Sequence, residues 1–255
     1  MGNNPNSLTE RSLRAVKWNY LGTVGRVLAQ FVSLLGLARL LGPEATGLFG
    51  YALLLISFAT LASEMGLSAA LVQAVTLSRA QLGSVVSRLL LVALVIASLI
   101  FVLAEWIATS MFNTPAATPV LQAVAPNLIL SALSIPPAAM LKRELQFRAL
   151  MFIGLGSYIF GYIFVGIGVA LAGGGVWSLV AALYAQNIAA CIAMNLVARG
   201  SLALGNPLKL HKLGGFGGII MVTYLFNWII DNATHFIVGR VFGPAALGAF
   251  TVSNN

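Results

Sequence analysis

The sequence predicts an all-α integral membrane protein: a multi-helix transmembrane bundle in which a second, parallel unit begins at the seventh helix. Three observations carry that prediction. The chain of 255 residues is 59% hydrophobic and only 8% charged, with a mean hydropathy of +0.95. A soluble domain carries about 25% charged residues, so the solvent for this much apolar surface is lipid. Seven segments are apolar over the roughly 20 residues that a helix needs to cross the hydrocarbon core. Finally, residues 39–49 (RLLGPEATGLF) recur as residues 240–250 (RVFGPAALGAF), a shift of 201 that keeps Arg, Gly, Pro, Ala, Gly and Phe in register.

The elements follow in order. Residues 1–16 read as an N-terminal tail, and residues 17–40 as the first span. Gly42 suits a helix C-terminus and Pro43 the first turn of the next helix, so the chain reverses there. The second span covers 46–74 and the third 84–110, ending near Trp106 and Asn113-Thr114-Pro115. The fourth covers 118–141 and contains Pro126, Pro136 and Pro137. Residues 149–198 hold no charge, and Gly173-Gly174-Gly175 divides them into two spans. The domain reading is therefore a six-helix lobe at 17–198, a linker at 199–214, and at 215–255 the first helix and hairpin turn of a truncated second lobe. Runs of this length far exceed a typical strand, and they lack the alternation of a membrane barrel.

Lys and Arg set the orientation. With the N-terminus in the cytoplasm, that side receives Arg11, Arg14, Lys17, Arg79, Arg88, Lys142, Arg143, Arg148, Arg199, Lys209 and Lys212, leaving Arg39 and Arg240 near the outer face. The apolar stretch after Lys17 is too long for a cleaved signal and lacks a small-residue cleavage site. Six helices separate the two copies of the repeat, an even number. Both copies therefore enter the membrane in the same direction, as in transporters whose halves are related by an axis along the membrane normal.

Polar residues inside spans are costly and mark cavities or partners. In the first span Asn19, Thr23, Arg26, Gln30 and Ser33 are spaced to form one stripe on a helix. Arg26 lies roughly 13 Å beyond Lys17 at about 1.5 Å per residue, near the bilayer centre. In the seventh span Thr223, Asn227, Asp231 and His235 recur every fourth position. The shift of 201 maps Arg26 onto Asn227 and Gln30 onto Asp231. The expectation is that Arg26, Gln30, Asn227 and Asp231 line one lumen, with Arg26 on an anionic substrate. Asp231, Glu64 and His235 are the candidates for ion coupling. The competing reading pairs Arg26 with an acid and makes each stripe helix-to-helix glue; for Glu64 it names Arg26 or Arg88 as a packing partner. Lys142, Arg143 and Arg148 form a basic cytoplasmic patch suited to a phosphorylated lipid or simply to headgroups. Glu144 and Arg148 there have i,i+4 spacing.

Other classes fit poorly. The net charge of +8 has no basic stripe interleaved with aromatics, which argues against nucleic acid. His211 and His235 lack the cysteine or acid cluster of a zinc site, and neither a hydrolase elbow nor a phosphate-binding loop is present. No metal, cofactor or enzymatic activity is expected. Cys191, the single cysteine, reads as a small hydrophobe.

Four stretches carry a family resemblance. Residues 38–47 (ARLLGPEATG) and 64–73 (EMGLSAALVQ) resemble the first helix pair of bacterial polysaccharide flippases. Residues 141–148 (LKRELQFR) look like their loop between helices 4 and 5, and residues 174–180 (GGVWSLV) like the start of their helix 6. The chain thus resembles the polysaccharide transporter branch of the MOP exporter superfamily over nearly its whole length, as a MOP/MATE-like N-lobe plus the start of the second lobe. The resemblance implies movement of an undecaprenyl-pyrophosphate-linked oligosaccharide across the bacterial inner membrane by alternating access, for exopolysaccharide, capsule or O-antigen synthesis. It implies partners of three kinds: the lipid-linked substrate, anionic membrane lipids, and a polysaccharide polymerase with its export machinery. Family members have twelve to fourteen helices, so either the chain is a fragment or two copies assemble; the unpaired seventh helix makes a homodimer awkward, and the expectation is a fragment. The alternatives are a MATE-like exporter of drugs or small molecules, or an inactive truncated membrane protein.

Overall fold

The computed structural model describes residues 5–64, 67–73, 78–199, 204–206 and 217–254, and the regular structure among them is all helical. Helix α1 (Pro5–Glu64) consists of two limbs joined at Gly42. Gly42 is left-handed (φ 77°), a conformation that strains any residue with a Cβ, and Pro43 opens the second limb. The helix already begins at Pro5, so residues 5–16 extend α1 instead of forming a separate tail. Leu67–Gln73 is helical as well and is labelled α2; residues 65 and 66 of the span expected at 46–74 lie outside the described residues.

Helix α3 (Arg79–Trp106) starts at a capping box in which Ser78 and Gln81 exchange hydrogen bonds, and it continues as a π-helical turn, Ile107–Met111. Helices α4 (Thr118–Val124) and α5 (Asn127–Arg143) are one predicted span broken at Pro126. Proline removes the backbone donor that would meet the Gln122 carbonyl. At the same break the Tyr184 hydroxyl donates to the neighbouring Ala123 carbonyl (2.7 Å). Helix α6 (Phe147–Tyr158) passes through a π-helical stretch, Ile159–Gly166, into α7 (Ile167–Leu171). Gly173 and Gly175, both at positive φ, turn the chain into α8 (Trp177–Val197). Helix α9 (Gly217–Asn254) breaks at Gly243 (φ 82°), repeating the break of α1.

Five segments of the described residues are long and apolar enough to cross a membrane: Leu35–Glu64, Arg79–Met111, Pro115–Arg143, Phe147–Leu171 and Trp177–Val197. The sequence reading expected seven. The two not in this set, 17–40 and 215–241, are those that carry the polar stripes.

Two apolar cores hold the bundle. One joins the second limb of α1, the end of α3, α4 and α8 around Tyr51, Leu121 and Leu128. The other joins α2, the start of α3 and α5 around Leu71, Val86 and Leu89. Gly205 donates its backbone N–H to the Ser87 hydroxyl (3.0 Å), which brings the linker beside the start of α3. Arg240 sits at the opposite end, donating to the carbonyls of Ser110 (2.7 Å) and Met111 (2.6 Å). Lys209, Lys212 and His211 lie outside the described residues.

The two copies of the repeat meet each other. A Cβ on Gly47 would overlap the Pro244 carbonyl, and one on Gly248 would overlap the Pro43 carbonyl. The shift of 201 carries Pro43 to Pro244 and Gly47 to Gly248, so the two contacts are one contact made twice. A two-fold axis produces such reciprocity. Gly50 and Thr251, also equivalent positions, face each other across the same junction. The Tyr51 hydroxyl, fully buried, donates to the Gly239 carbonyl (2.7 Å).

Candidate functional site

The polar stripe of α1 opens onto a cavity of about 370 Å³ inside the bundle. Arg26, Gln30 and Ser33 contribute from the first limb, Thr46 from the second, Tyr158, Tyr162 and Gln186 from α6, the π-helical stretch and α8, and Gly248 and Thr251 from α9. Two close approaches build it. The first limb of α1 leans on α6 through Gly25, where a Cβ would stand 3.3 Å from Leu155. The π-helical stretch crosses α8 at Gly161, where a Cβ would stand 2.6 Å from the Ala182 carbonyl. At Gly161 only a residue without a side chain lets the two backbones come this close.

Arg26 is exposed to the cavity, and among the described residues it has no hydrogen-bond or salt-bridge partner. The reading that buries it against an acid is therefore not what the structure shows. Its charge acts instead on the phenols of Tyr158 and Tyr162. These rings stack at 4.7 Å with an interplanar angle of 16°, and the Tyr158 hydroxyl shares a 2.6 Å hydrogen bond with Ser33. The result is a cation beside a fixed aromatic pair.

Arg26 also lines a second cavity of about 300 Å³, with Trp18, Thr23, Lys142, Phe147 and Met194. It therefore stands at the junction of two spaces. One reaches the basic end of the bundle, and the other reaches the junction with α9.

The other predicted residues distribute unevenly. Gln30 lines the larger cavity with Arg26. Asn227 and Asp231, their repeat equivalents, are exposed on α9 and line neither cavity. His235 packs edge-on against Phe250 of its own hairpin (5.1 Å), with Nδ1 buried. Glu64 is half-buried, and the charge that acts on it is Lys142, not Arg26 or Arg88. Of the basic patch, Lys142 lines the smaller cavity, while Arg148 lies over the rings of Trp18 (5.2 Å) and Phe152 (5.7 Å). Arg143 is half-buried at the end of α5. Glu144 does not share a helix with Arg148: α5 ends at Arg143, Leu145 turns the chain at φ 57°, and Glu144 accepts from Gln146 (2.6 Å). The Asn19 side chain lies outside the described residues.

Tyr158, Tyr162 and Gln186 were missed from the sequence because an uncharged segment offers no polar stripe. The i,i+4 tyrosines beside Ser157 were the available signal.

A helical membrane bundle with a cationic, aromatic-lined cavity between its helices has the form of a transporter. The family model for polysaccharide biosynthesis proteins matches residues 36–255, and the chain belongs to that family. It is similar to the succinoglycan biosynthesis transport protein ExoT of Rhizobium meliloti (strain 1021), with 28% identity over 245 residues. The match covers 94% of this chain and 49% of that protein, so the chain spans about half the length of its relative. No solved structure matches.

Proposed function

We propose that these residues form the first lobe, and the opening helix of the second, of a flippase for undecaprenyl-pyrophosphate-linked oligosaccharide in the bacterial inner membrane. The observation that carries the reading is Arg26: a cation shared by two cavities with no hydrogen-bond or salt-bridge partner among the described residues, which the sequence spacing sets near mid-span. A charge held there without a partner costs about 2.5–3.5 kcal/mol on insertion scales. It is stabilised when an anionic group arrives. The pyrophosphate binds Arg26 and Gln30, reached from the N-terminal, cytoplasmic end past Lys142, with Arg143 and Arg148 at the headgroup level. The reciprocal contact of the two Gly-Pro turns supports a parallel pair of lobes that rock about a common axis. Asn227 and Asp231, exposed on α9 and outside both cavities here, would join the lumen only where the second lobe closes around them, and Asp231, Glu64 and His235 are the groups for ion coupling. Succinoglycan transport by the relative supports a polysaccharide precursor as cargo, with a polymerase and export machinery downstream.

The test is complementation of a flippase-deletion strain by the full-length protein. Arg26→Ala lowers surface polysaccharide at equal protein level, and Arg26→Lys restores part of it. Normal export by Arg26→Ala rules out Arg26 as the substrate contact. Ion-coupled drug efflux without any effect on polysaccharide favours the small-molecule exporter instead.

A further inference from the structure

A third cavity, of about 430 Å³, lies apart from Arg26. Its walls are the second limb of α1 (Leu54, Phe58), the end of α3 (Met111, Phe112) and one face of α9 (Trp228, Phe236). Its lining is almost wholly apolar, with Asn232 as the one polar side chain apart from the Trp228 indole. The Trp228 indole N–H donates to the Ser57 hydroxyl (2.9 Å) and the Asn232 amide donates to the Trp228 carbonyl (2.9 Å). A sugar with its many hydroxyls would find too few groups to bond, and water needs two to four polar partners. The cavity suits a flexible apolar chain.

Its mouth carries a charge. Ile237 lines the cavity, and Arg240, three residues later on the same helix face, donates only through Nη1, to the carbonyls of Ser110 and Met111. Among the described residues, Nε and Nη2 of Arg240 have no partner. Trp106, exposed at this end of α3, marks the interface where amphipathic rings gather. Glu105 is exposed and does not line the cavity.

We infer that this cavity holds one acyl chain of an anionic phospholipid of the outer leaflet, with the lipid phosphate on Arg240. Size selects the occupant. The volume matches a single acyl chain and is several-fold too small for an undecaprenyl chain. Charge selects the headgroup, since a phosphate completes the half-used guanidinium fork. The lipid bridges α1 and α3 to α9 independently of the Arg26 cavity.

The test uses the full-length protein in liposomes, with Trp228 as its sole tryptophan, and phospholipids brominated in the acyl chain as quenchers. Brominated phosphatidylglycerol quenches Trp228 at about fivefold lower mole fraction than brominated phosphatidylcholine, the ratio expected of one basic residue near an anionic surface. Arg240→Gln brings the ratio to about one. Ala233→Leu, which fills the cavity wall and leaves Arg240 in place, removes the saturable component. Equal quenching by the two lipids in the parent protein overturns the proposal, as does a preference that survives both substitutions. Stoichiometric displacement of the phospholipid by undecaprenyl phosphate assigns the cavity to the carrier and also overturns it.

Discussion

The first limb of α1 and the first limb of α9 lead into the two copies of the Gly-Pro repeat, yet their surroundings differ. Around α1 the glycines at 22 and 25 admit α6, and the polar stripe turns into a cavity that α6 and α8 complete. Around α9 the stripe residues Asn227 and Asp231 are exposed, and the neighbouring face meets Ser57 and Phe58 through Trp228. Beyond their glycine breaks the copies converge again, each glycine seated on the other copy's proline. The difference teaches that a polar stripe does not make a site. The site appears where other helices of the same lobe close around the stripe, whereas the Gly-Pro turns need only each other.

The equivalence of the turns is the easiest part of that comparison to break. Gly47→Val and Gly248→Val each drive a side chain into a proline carbonyl, so both are expected to abolish export by the full-length protein in the complementation assay. Their effects should match within about twofold; one tolerated and one lethal would mean the turns are not equivalent.

The stripes should then respond unequally. Arg26→Ala is expected to lower export about 10- to 100-fold, in line with the 1.5–3 kcal/mol of a charge-assisted hydrogen bond. Asn227→Ala, on the open copy, should cost less. A larger loss at Asn227 would move the binding site to the second lobe.

A smaller effect sharpens the junction. Tyr51→Phe removes the buried hydrogen bond to the Gly239 carbonyl, a loss of about 0.5–1.5 kcal/mol, seen as a lower melting temperature in detergent with little change in substrate binding. Smallest is Arg148→Ala, which removes the cation over Trp18 and Phe152. About 0.5–1 kcal/mol of stability is expected to go, and thermal unfolding measures it. A large export defect there at normal stability would restore Arg148 to the substrate path.

Much of this was legible in the sequence. Gly42-Pro43 and Gly243-Pro244 announced both helix breaks because a left-handed glycine followed by a proline has few other uses. Arg26 and Gln30 announced the cavity because helical spacing puts them on one face. Other features depend on tertiary placement. Pro126 split a span, and only the fold places Tyr184 at the break. Glu144 and Arg148 have helical spacing, but Leu145 turns the chain between them. The Tyr158–Tyr162 stack sits in a π-helical stretch that hydropathy alone does not reveal. Periodicity assigned equivalent roles to Arg26 and Asn227 because it sees one helix at a time and not the helices packed around it.

The central claim is that Arg26, which has no partner among the described residues, binds the pyrophosphate. Its most direct test is the affinity of the purified full-length protein for undecaprenyl pyrophosphate, compared with Arg26→Ala and Arg26→Lys. The account predicts at least about tenfold weaker binding for Ala, equal to roughly 1.4 kcal/mol, and partial recovery for Lys. Unchanged affinity in Arg26→Ala would contradict it.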